Sequence, residues 1–595
     1  MQNVSQAWKD NQNNTLVSES DIEISLKMTD PDAYEDASAT DNGHPYWADT
    51  AYIVSDGDKT ITPYATLETN QWLLDGSRVI VPNSGKGNTG YIGDLLCDAN
   101  GVYSTHPLIT IDFTRVHTNL LQGVTIKWSE FLSEYAVEFI VTAYNGDTVV
   151  AEKTISDNSA VISVVMFDIS NYDRITIEVI KWSLSYRRAR IDELFVGVIK
   201  IFSKKDVFSY DCSHSVDPIS AELPKSEVSF SIDNSNEEYN PYNAEGISKY
   251  LMERQEINVR YGYKLANGVE WISGGKYYIS EWNAEQNGMS ASFTARDLLE
   301  FMTGTYYKGL YNLSGTSLYD LAQDVLEDAD LPLNSDGSVK WVIDERLKNI
   351  YTIAPLPIDT HANCLQMIAN AGECVFYQDR EGTLRLEYVP IVATNGDYAI
   401  TYFNSYSKSE LSLSKPLKQV DVPCYSYSIG KDTTELYKGT VNIVGTTELV
   451  ITYSGTAANV SASVSGGTLK SAVYYSNACV LNITGTGNVT ITITGYSLDD
   501  SSVVISTPSD ISGEVVTVDN MLITSQDRAV AVGSWVETYM KNRMTLSSSW
   551  RADPRLDALD VVDNENDYGV NKVIMTEVKY SYNGAFRGSG EGRVI

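Results

Sequence analysis

Apolar and polar residues trade places at every second position along most of this chain. The runs DIEISLKM (21–28), PLITIDF (107–113), GVTIKW (123–128), YAVEFIVTAY (135–144) and RITIEVI (174–180) show it. So do EVSFSID (227–233), EINVRYGY (256–263), KYYISEW (276–282) and MSASFTA (289–295). A period of two puts alternate side chains on opposite faces, which predicts half-buried strands. Asn145-Gly146-Asp147 and Asn267-Gly268 stand between strand pairs where hairpins need residues that accept positive φ. Most of the chain therefore reads as antiparallel β-sheet.

Three stretches switch to a helical period. Residues 317–329 put Leu318, Leu321, Ala322, Val325 and Leu326 on one face, with Ser317 and Asp320 as an acidic capping box and Pro332 beyond the end. Residues 361–371 follow Thr360 as cap and stop at Gly372. A third helix is expected over 526–544, capped by Ser525, with Ala529, Val532, Val536, Tyr539 and Met540 as its stripe. Segment 438–508 differs again: short Thr/Ser/Val/Ile runs separated by glycine turns predict a small immunoglobulin-like sandwich.

The order of these patterns is informative. Residues 13–28 read as one strand and stop, a self-contained β pattern follows, and the interrupted pattern resumes near Lys204. The expected division is an opening strand in 1–40, an inserted sandwich in 41–200, a β domain in 201–310, an α/β domain in 311–428, a second insert in 429–510 and a closing β domain with one helix in 511–595. The fold class is mainly β and multidomain, with a small α/β part. A chain of 595 residues exceeds one core and suits roughly three to five domains.

Composition narrows the function. With 44 basic against 78 acidic residues the net charge is −34, which opposes the basic stripes that nucleic acid requires. No run approaches the length of a membrane span, and the N-terminal residues lack the apolar core of a secretory signal. Six scattered cysteines without C-x-x-C pairs predict free thiols made in a reducing cytoplasm. Tyrosine outnumbers phenylalanine 39 to 13, which suits half-exposed strands, subunit interfaces and sugar-stacking surfaces.

Three segments carry family likenesses. TLETNQWLLDGS (66–77), PLITIDF, GVTIKW, YAVEFIVTAYNGD and ARIDELFVG (189–197), in that order, resemble a discoidin-like domain; Arg190, Ile191 and Glu193 hold its closing pattern. The resemblance implies a jelly roll that binds host-surface carbohydrate through loops at one end, with Tyr46, Trp47 and Trp72 as sugar platforms. Asp75-Gly76 stands where that family sometimes has a calcium (Ca2+) element. Ser77 replaces the usual Asn, and Asp75 is the single side chain that can be named for a cation that takes about six or more oxygens. Otherwise no cofactor is implied.

Residues 200–310, with W-x-x-G-G-x-Y-Y-I at Trp271–Ile279 and A-R-D-L-L at 295–299, resemble the first β domain of phage tail hub proteins. Residues 511–595 resemble that family's closing segment. They carry R-x-D-P-x-L-D-x-x-D from Arg551 to Asp560, then Y-x-G-x-F-x-G from Tyr582 to Gly588. Asp553-Pro554 reads as a turn before a strand whose polar side Asp557 and Asp560 end. Residues 1–30 resemble the family's opening strand.

A catalytic constellation does not emerge. His44, His106, His117, His214 and His361 are isolated; His361 and Cys364 share a helix face and read as a buried pair; GKGNTG (85–90) lacks a Walker ending. The leading expectation is a non-enzymatic virion structural protein. It would be a homotrimeric tail or baseplate hub between tail tube and distal tail, spike or fibre proteins, made in the host cytoplasm and carrying a glycan-binding module. The alternatives are a tail-associated cell-wall hydrolase or glycosidase, and a free surface adhesin.

Overall fold

The computed structural model describes every residue except 44, 49, 55–60, 82–87, 220–221, 244–245, 267, 286–287, 334–337, 392–397 and 511, and the side chains of 31, 35, 51 and 52. His44, Asn267 and the first half of the 85–90 run thus fall outside the described residues. The chain is mainly β and multidomain, built from several separate sheets.

The largest sheet gathers strands from both ends of the sequence. Its order runs Val198–Ser203, Ser20–Met28, Glu256–Leu265, Gly268–Ala284, Ser290–Arg296, Lys225–Asp233, Val207–Ser215, Gly569–Tyr582, Phe586–Val594, Met544–Arg551 and Glu410–Leu413. Two further strands, Val561–Asn566 and Ala399–Ile400, attach beside Gly569–Tyr582. The sheet curls, so Tyr210 and Tyr261, on strands with three others between them, meet across the interior with hydroxyls 2.6 Å apart. Ile22, Ile24, Val228, Val259, Val578 and Phe586 fill that interior.

Residues between Met28 and Val198 leave this sheet and form a separate sandwich. A five-stranded sheet (Thr148–Ile155, Ala136–Asn145, Tyr172–Trp182, Leu108–His117, Ser38–Thr40) faces a three-stranded one (Ile162–Ile169, Leu121–Lys127, Glu193–Phe195). Trp128, Phe139, Ile177 and Trp182 lie in the core between them.

A second core holds the helices. Leu318–Asp328 and His361–Ala371 form with the expected caps: Ser317 accepts from the Asp320 amide at 3.0 Å and Thr360 from the Asn363 amide at 3.2 Å. The third helix, Gln526–Met540, ends earlier than expected, because the next residues enter the Met544–Arg551 strand. Its face of Ala529, Val532 and Val536 shares this core with Leu321, Leu365 and Val422. An unexpected helix, Gln6–Asn13, has Ser5 as its cap and buries Trp8 against Tyr263 in the large sheet's core.

The 438–508 segment is one ladder rather than a set of short strands. Leu417–Thr452 pairs antiparallel with Ala478–Pro508 along its length, and Ala457–Tyr474 lines the other side. Thr452 faces Ala478, yet Ala457, five residues on, faces Ser497. Five residues reach about 18 Å, whereas the partner strand from 478 to 497 would span about 60 Å if straight. The ladder must therefore fold over, and the bend lies where the register jumps between Ser465 and Gly467. Gly466 sits there at φ +88 with the Asn488 carbonyl where a side chain would begin. The small sandwich so formed has Leu481, Ile483, Val489 and Ile491 between its leaves.

Tyrosine is used differently from the sequence expectation. Tyr64, Tyr91, Tyr103, Tyr172, Tyr210, Tyr261 and Tyr277 are among the largest fully buried side chains. All six cysteines are free.

Candidate functional site

The inserted sandwich has a near and a far end. Tyr172, which opens the Tyr172–Trp182 strand, packs on His117, and His117 Nε2 lies 2.8 Å from Asp36 close to the junction with the large sheet. Trp182 closes that strand about 33 Å away. There Trp182 donates from Nε1 to Glu134 at 3.0 Å and from its amide to the Gly101 carbonyl at 2.8 Å.

Four loops converge at the far end on one buried arginine. Arg190 forms ion pairs with Glu68 and, at 3.3 Å, with Glu134, all three buried. Burial alone would push the guanidinium down; Tyr64, Glu68 and Glu134 outweigh it and hold the charge. Arg187 adds an ion contact to Glu134 at 3.1 Å and donates to the Thr69 carbonyl at 2.7 Å. The Cys97 amide donates to the Arg187 carbonyl at 2.9 Å, and the Arg188 amide to Glu68 at 2.9 Å. The loops carrying residues 66–78, 94–103, 129–135 and 183–188 are thus fixed relative to one another.

Their outer surface carries many apolar side chains. Leu67, Trp72, Leu73, Leu74, Leu95, Leu96, Leu184 and Tyr186 are all exposed on these loops. Asp75, Asp94 and Asp98 are exposed beside them, while Glu68, Glu134 and Arg190 point inward, so the apolar share is unusual for a solvated loop tip.

The sequence-predicted residues fare unequally. Trp72 stands in solvent at this tip, 46% exposed. Tyr46 and Trp47 lie on the Pro45–Ala48 strand, half buried against Ile61, Tyr64, Val81 and Ile92. The Arg188 guanidinium covers one face of Tyr46 at 4.4 Å. Asp75 closes a local turn, its carboxylate accepting from the Ser77 hydroxyl at 2.5 Å and the Ser77 amide at 3.0 Å, which lowers its pKa. Among the described residues no group of three or more His, Cys, Asp or Glu side chains could hold a metal. The exposed leucines and Tyr186 are missed by sequence reasoning, although W-L-L inside a turn-rich stretch breaks the strand period and marks the place.

A second constellation lies wholly inside the large sheet. Tyr277 Oη is 2.8 Å from His214 Nε2 and 3.6 Å from Cys212 Sγ, while His214 Nδ1 is 3.9 Å from Asp557. Burial would lower His214, but Cys212 and Asp557 raise it to about 9; burial would raise Cys212, but His214 holds it below the usual thiol range. In the sequence His214 reads as isolated because Asp557 is far along the chain. Cys212 and His214 are buried under Tyr277, so this cluster braces the closing segment from within.

That segment departs from its expected geometry. Asp557 and Asp560 lie in a half-buried turn before the Val561–Asn566 strand and are engaged from elsewhere. Arg380 donates to Asp557 at 2.8 Å and to the Leu556 carbonyl at 2.5 Å, and the N-terminal amine meets Asp560 at 2.5 Å.

No family model matches this sequence, and no curated protein matches it. Three solved structures are similar at low identity. The 43 kDa tail protein of prophage MuSo2 from Shewanella oneidensis matches 67% of this chain and 95% of its own, at 9% identity and a TM-score of 0.36. A tail protein from Neisseria meningitidis MC58 matches 66% and 93%, at 9% identity and a TM-score of 0.37. Prophage tail protein gp18 from Listeria monocytogenes EGD-e matches 66% and 91%, at 9% identity and a TM-score of 0.37.

Proposed function

We propose that this chain is a structural protein of a phage tail. It would act as a homotrimeric hub between the tail tube and the tip or spike proteins, with a discoidin-like module that meets host-surface carbohydrate. The motif likenesses at both chain ends support the hub reading, and one scaffold sheet formed from both ends suits it. The observation that carries the adhesive reading is the far end of the sandwich: four loops locked on Arg190, presenting Trp72 and Tyr186 away from the junction. Aromatic rings stack on sugar faces, and weak contacts on several copies would gain strength through effective concentration.

The test uses the full chain on a glycan array, beside purified particles probed for its presence. Binding that Trp72→Ala abolishes supports the sugar reading; no binding above background overturns it. Absence from particles overturns the tail reading. The exposed leucines at 67, 73, 74, 95, 96 and 184 favour a second reading, in which the tip docks an apolar protein surface.

A further inference from the structure

Three parts of the molecule leave a space where they meet. A cavity of about 780 Å³ lies between the inserted sandwich, the large sheet and the helix-bearing core. The sandwich contributes Tyr34 and Phe195 to its lining, the sheet Lys27 and Tyr278, and the core Leu326 and Trp341. Protein interiors are close-packed, with few voids larger than a water molecule. A space of this size falls instead in the range of small-molecule sites, about 300–1,000 Å³.

Much of the wall is carbon. Phe301 meets Tyr278 edge-on with ring centroids 4.8 Å apart, Arg254 lies 4.7 Å over the Phe301 ring, and Tyr34 pairs with Phe195 at 6.1 Å. Neutral polar groups of the lining are already engaged. Gln255 donates to the Thr29 and Tyr250 carbonyls, the Thr29 hydroxyl to the Val196 carbonyl, and the Ser38 hydroxyl to the Asp112 carbonyl. A sugar needs open donors and acceptors, whereas a hydrocarbon body suits such a wall.

The charges separate by depth. Over the whole lining three cations and three carboxylates balance. Arg254, Glu327 and Asp330 are exposed and form the rim with Leu333. Lys27 and Lys340 are buried, and one carboxylate serves both: Glu256 lies 2.6 Å from Lys27 and 4.0 Å from Lys340. The interior of the lining therefore carries one positive charge in excess. Burial would raise Glu256, yet Lys27, Lys340 and Lys276 hold it at about 2, which agrees with that excess. An ammonium has three donors; at Lys340 the Tyr278 hydroxyl accepts one at 3.1 Å, and Glu256 is beyond hydrogen-bond reach. Such a cation favours an anion beside it.

We propose that this cavity binds an amphipathic carboxylate, with its hydrocarbon chain against Tyr34, Phe195, Phe301 and Trp341 and its carboxylate at Lys340. A molecule held there touches all three parts and fixes the inserted sandwich against the large sheet. The site lies at the junction end of the sandwich, away from Trp72, and is independent of the tail reading.

The test is calorimetric titration of the full chain with decanoate, beside acetate as the head alone and decanol as the chain alone. The expected result is a single decanoate per chain, with acetate and decanol weaker by at least about tenfold. Lys340→Met should weaken decanoate at least about tenfold and leave decanol unchanged. Because Lys340 is buried, a pair of variants at the exposed Leu333 guards against a folding defect. Leu333→Lys and Leu333→Glu remove the same leucine, yet the Lys variant should bind decanoate about threefold more tightly than the Glu variant, with circular dichroism unchanged in both. The proposal is overturned by no decanoate binding at about 1 mM, by decanol binding as tightly as decanoate, by a folded Lys340→Met that binds like the parent, or by equal binding to the two Leu333 variants.

Discussion

Met28 and Val198 are register partners on neighbouring antiparallel strands, although the whole inserted sandwich lies between them in sequence. Directly opposed residues in such a pair have Cα atoms about 4.5–5.5 Å apart, so the gap the sandwich bridges is one that a tight turn spans. Contacts across the junction run from Thr29, which donates to the Val196 carbonyl, to Lys249 and Tyr250 on Asp168 and to the packing of Val198–Ser203 on the Leu121–Lys127 and Ile162–Ile169 strands. Replacing residues 30–196 with a short Gly-containing turn should leave a cooperatively unfolding scaffold, read by circular dichroism and by hydrogen exchange on Ser20–Met28. The cut must stop at 196, because one at 200 removes Val198, Ile199 and Lys200 from the ladder. Loss of folding would make the sandwich part of the scaffold.

Arg380 couples the α/β part to the closing turn. Its guanidinium serves Asp557 and the carbonyls of Pro554, Leu556 and Ser273, of which Leu556 also accepts from Tyr580 and Ser273 from Gln2. Arg380→Met keeps the volume but takes the guanidinium from the half-buried Asp557 carboxylate and from its carbonyl acceptors, which should cost about 1–3 kcal/mol. Urea denaturation measures the loss. Exchange of the 553–560 amides should rise more than that of the Leu318–Asp328 helix, which separates a loosened turn from general destabilisation.

How far the sequence exposed all this depended on distance along the chain. The helices at 318 and 361 were legible because Ser317 and Thr360 cap them within three residues. Strands were legible wherever one face is buried, as in Ile22, Ile24 and Leu26. The Gln6–Asn13 helix was not, since Trp8 is the single large apolar residue it buries and that residue answers to Tyr263. The Leu417–Thr452 strand was broken into pieces because bulges near Ile429 and Glu435 interrupt its period. At the candidate tip, Trp72 showed itself by residue type. The Glu68–Glu134–Arg190 knot did not, because no local spacing links those residues.

Glu256 gives the junction an acid limit. Its carboxylate meets Lys27 at 2.6 Å and Lys340 at 4.0 Å. Burial would raise its pKa, but Lys27, Lys340 and Lys276 outweigh burial and hold it at about 2. A folded pKa below the unfolded one contributes stability that is present above about 4.5 and lost as pH falls through about 2. The shift corresponds to about 3 kcal/mol. Glu256→Gln should therefore lower stability at pH 7, by about 3 kcal/mol, with the difference shrinking as the pH is taken towards 2. Denaturant titrations of both proteins across that range measure it, and a pH-independent difference would refute the assignment.

Asp192 acts with the opposite sign. It lies next to Arg190, accepts from the Glu130 amide at 2.9 Å, and is buried. Burial raises its pKa to about 7, against the lowering effects of that amide, Lys127 and Arg190. A carboxyl that is harder to ionise when folded keeps more protons than the unfolded chain does. Its contribution is therefore fully present below about 4 and is lost as pH rises through about 7. A shift of this size corresponds to roughly 4 kcal/mol at most. Asp192→Asn retains an oxygen for the Glu130 amide and removes the titration, so the variant should be the more stable protein at pH 8 and match the parent near pH 4. Melting temperatures at the two pH values decide it: an Asn variant that is less stable at pH 8 would mean that Asp192 is needed there as an anion, paired with Arg190 or Lys127.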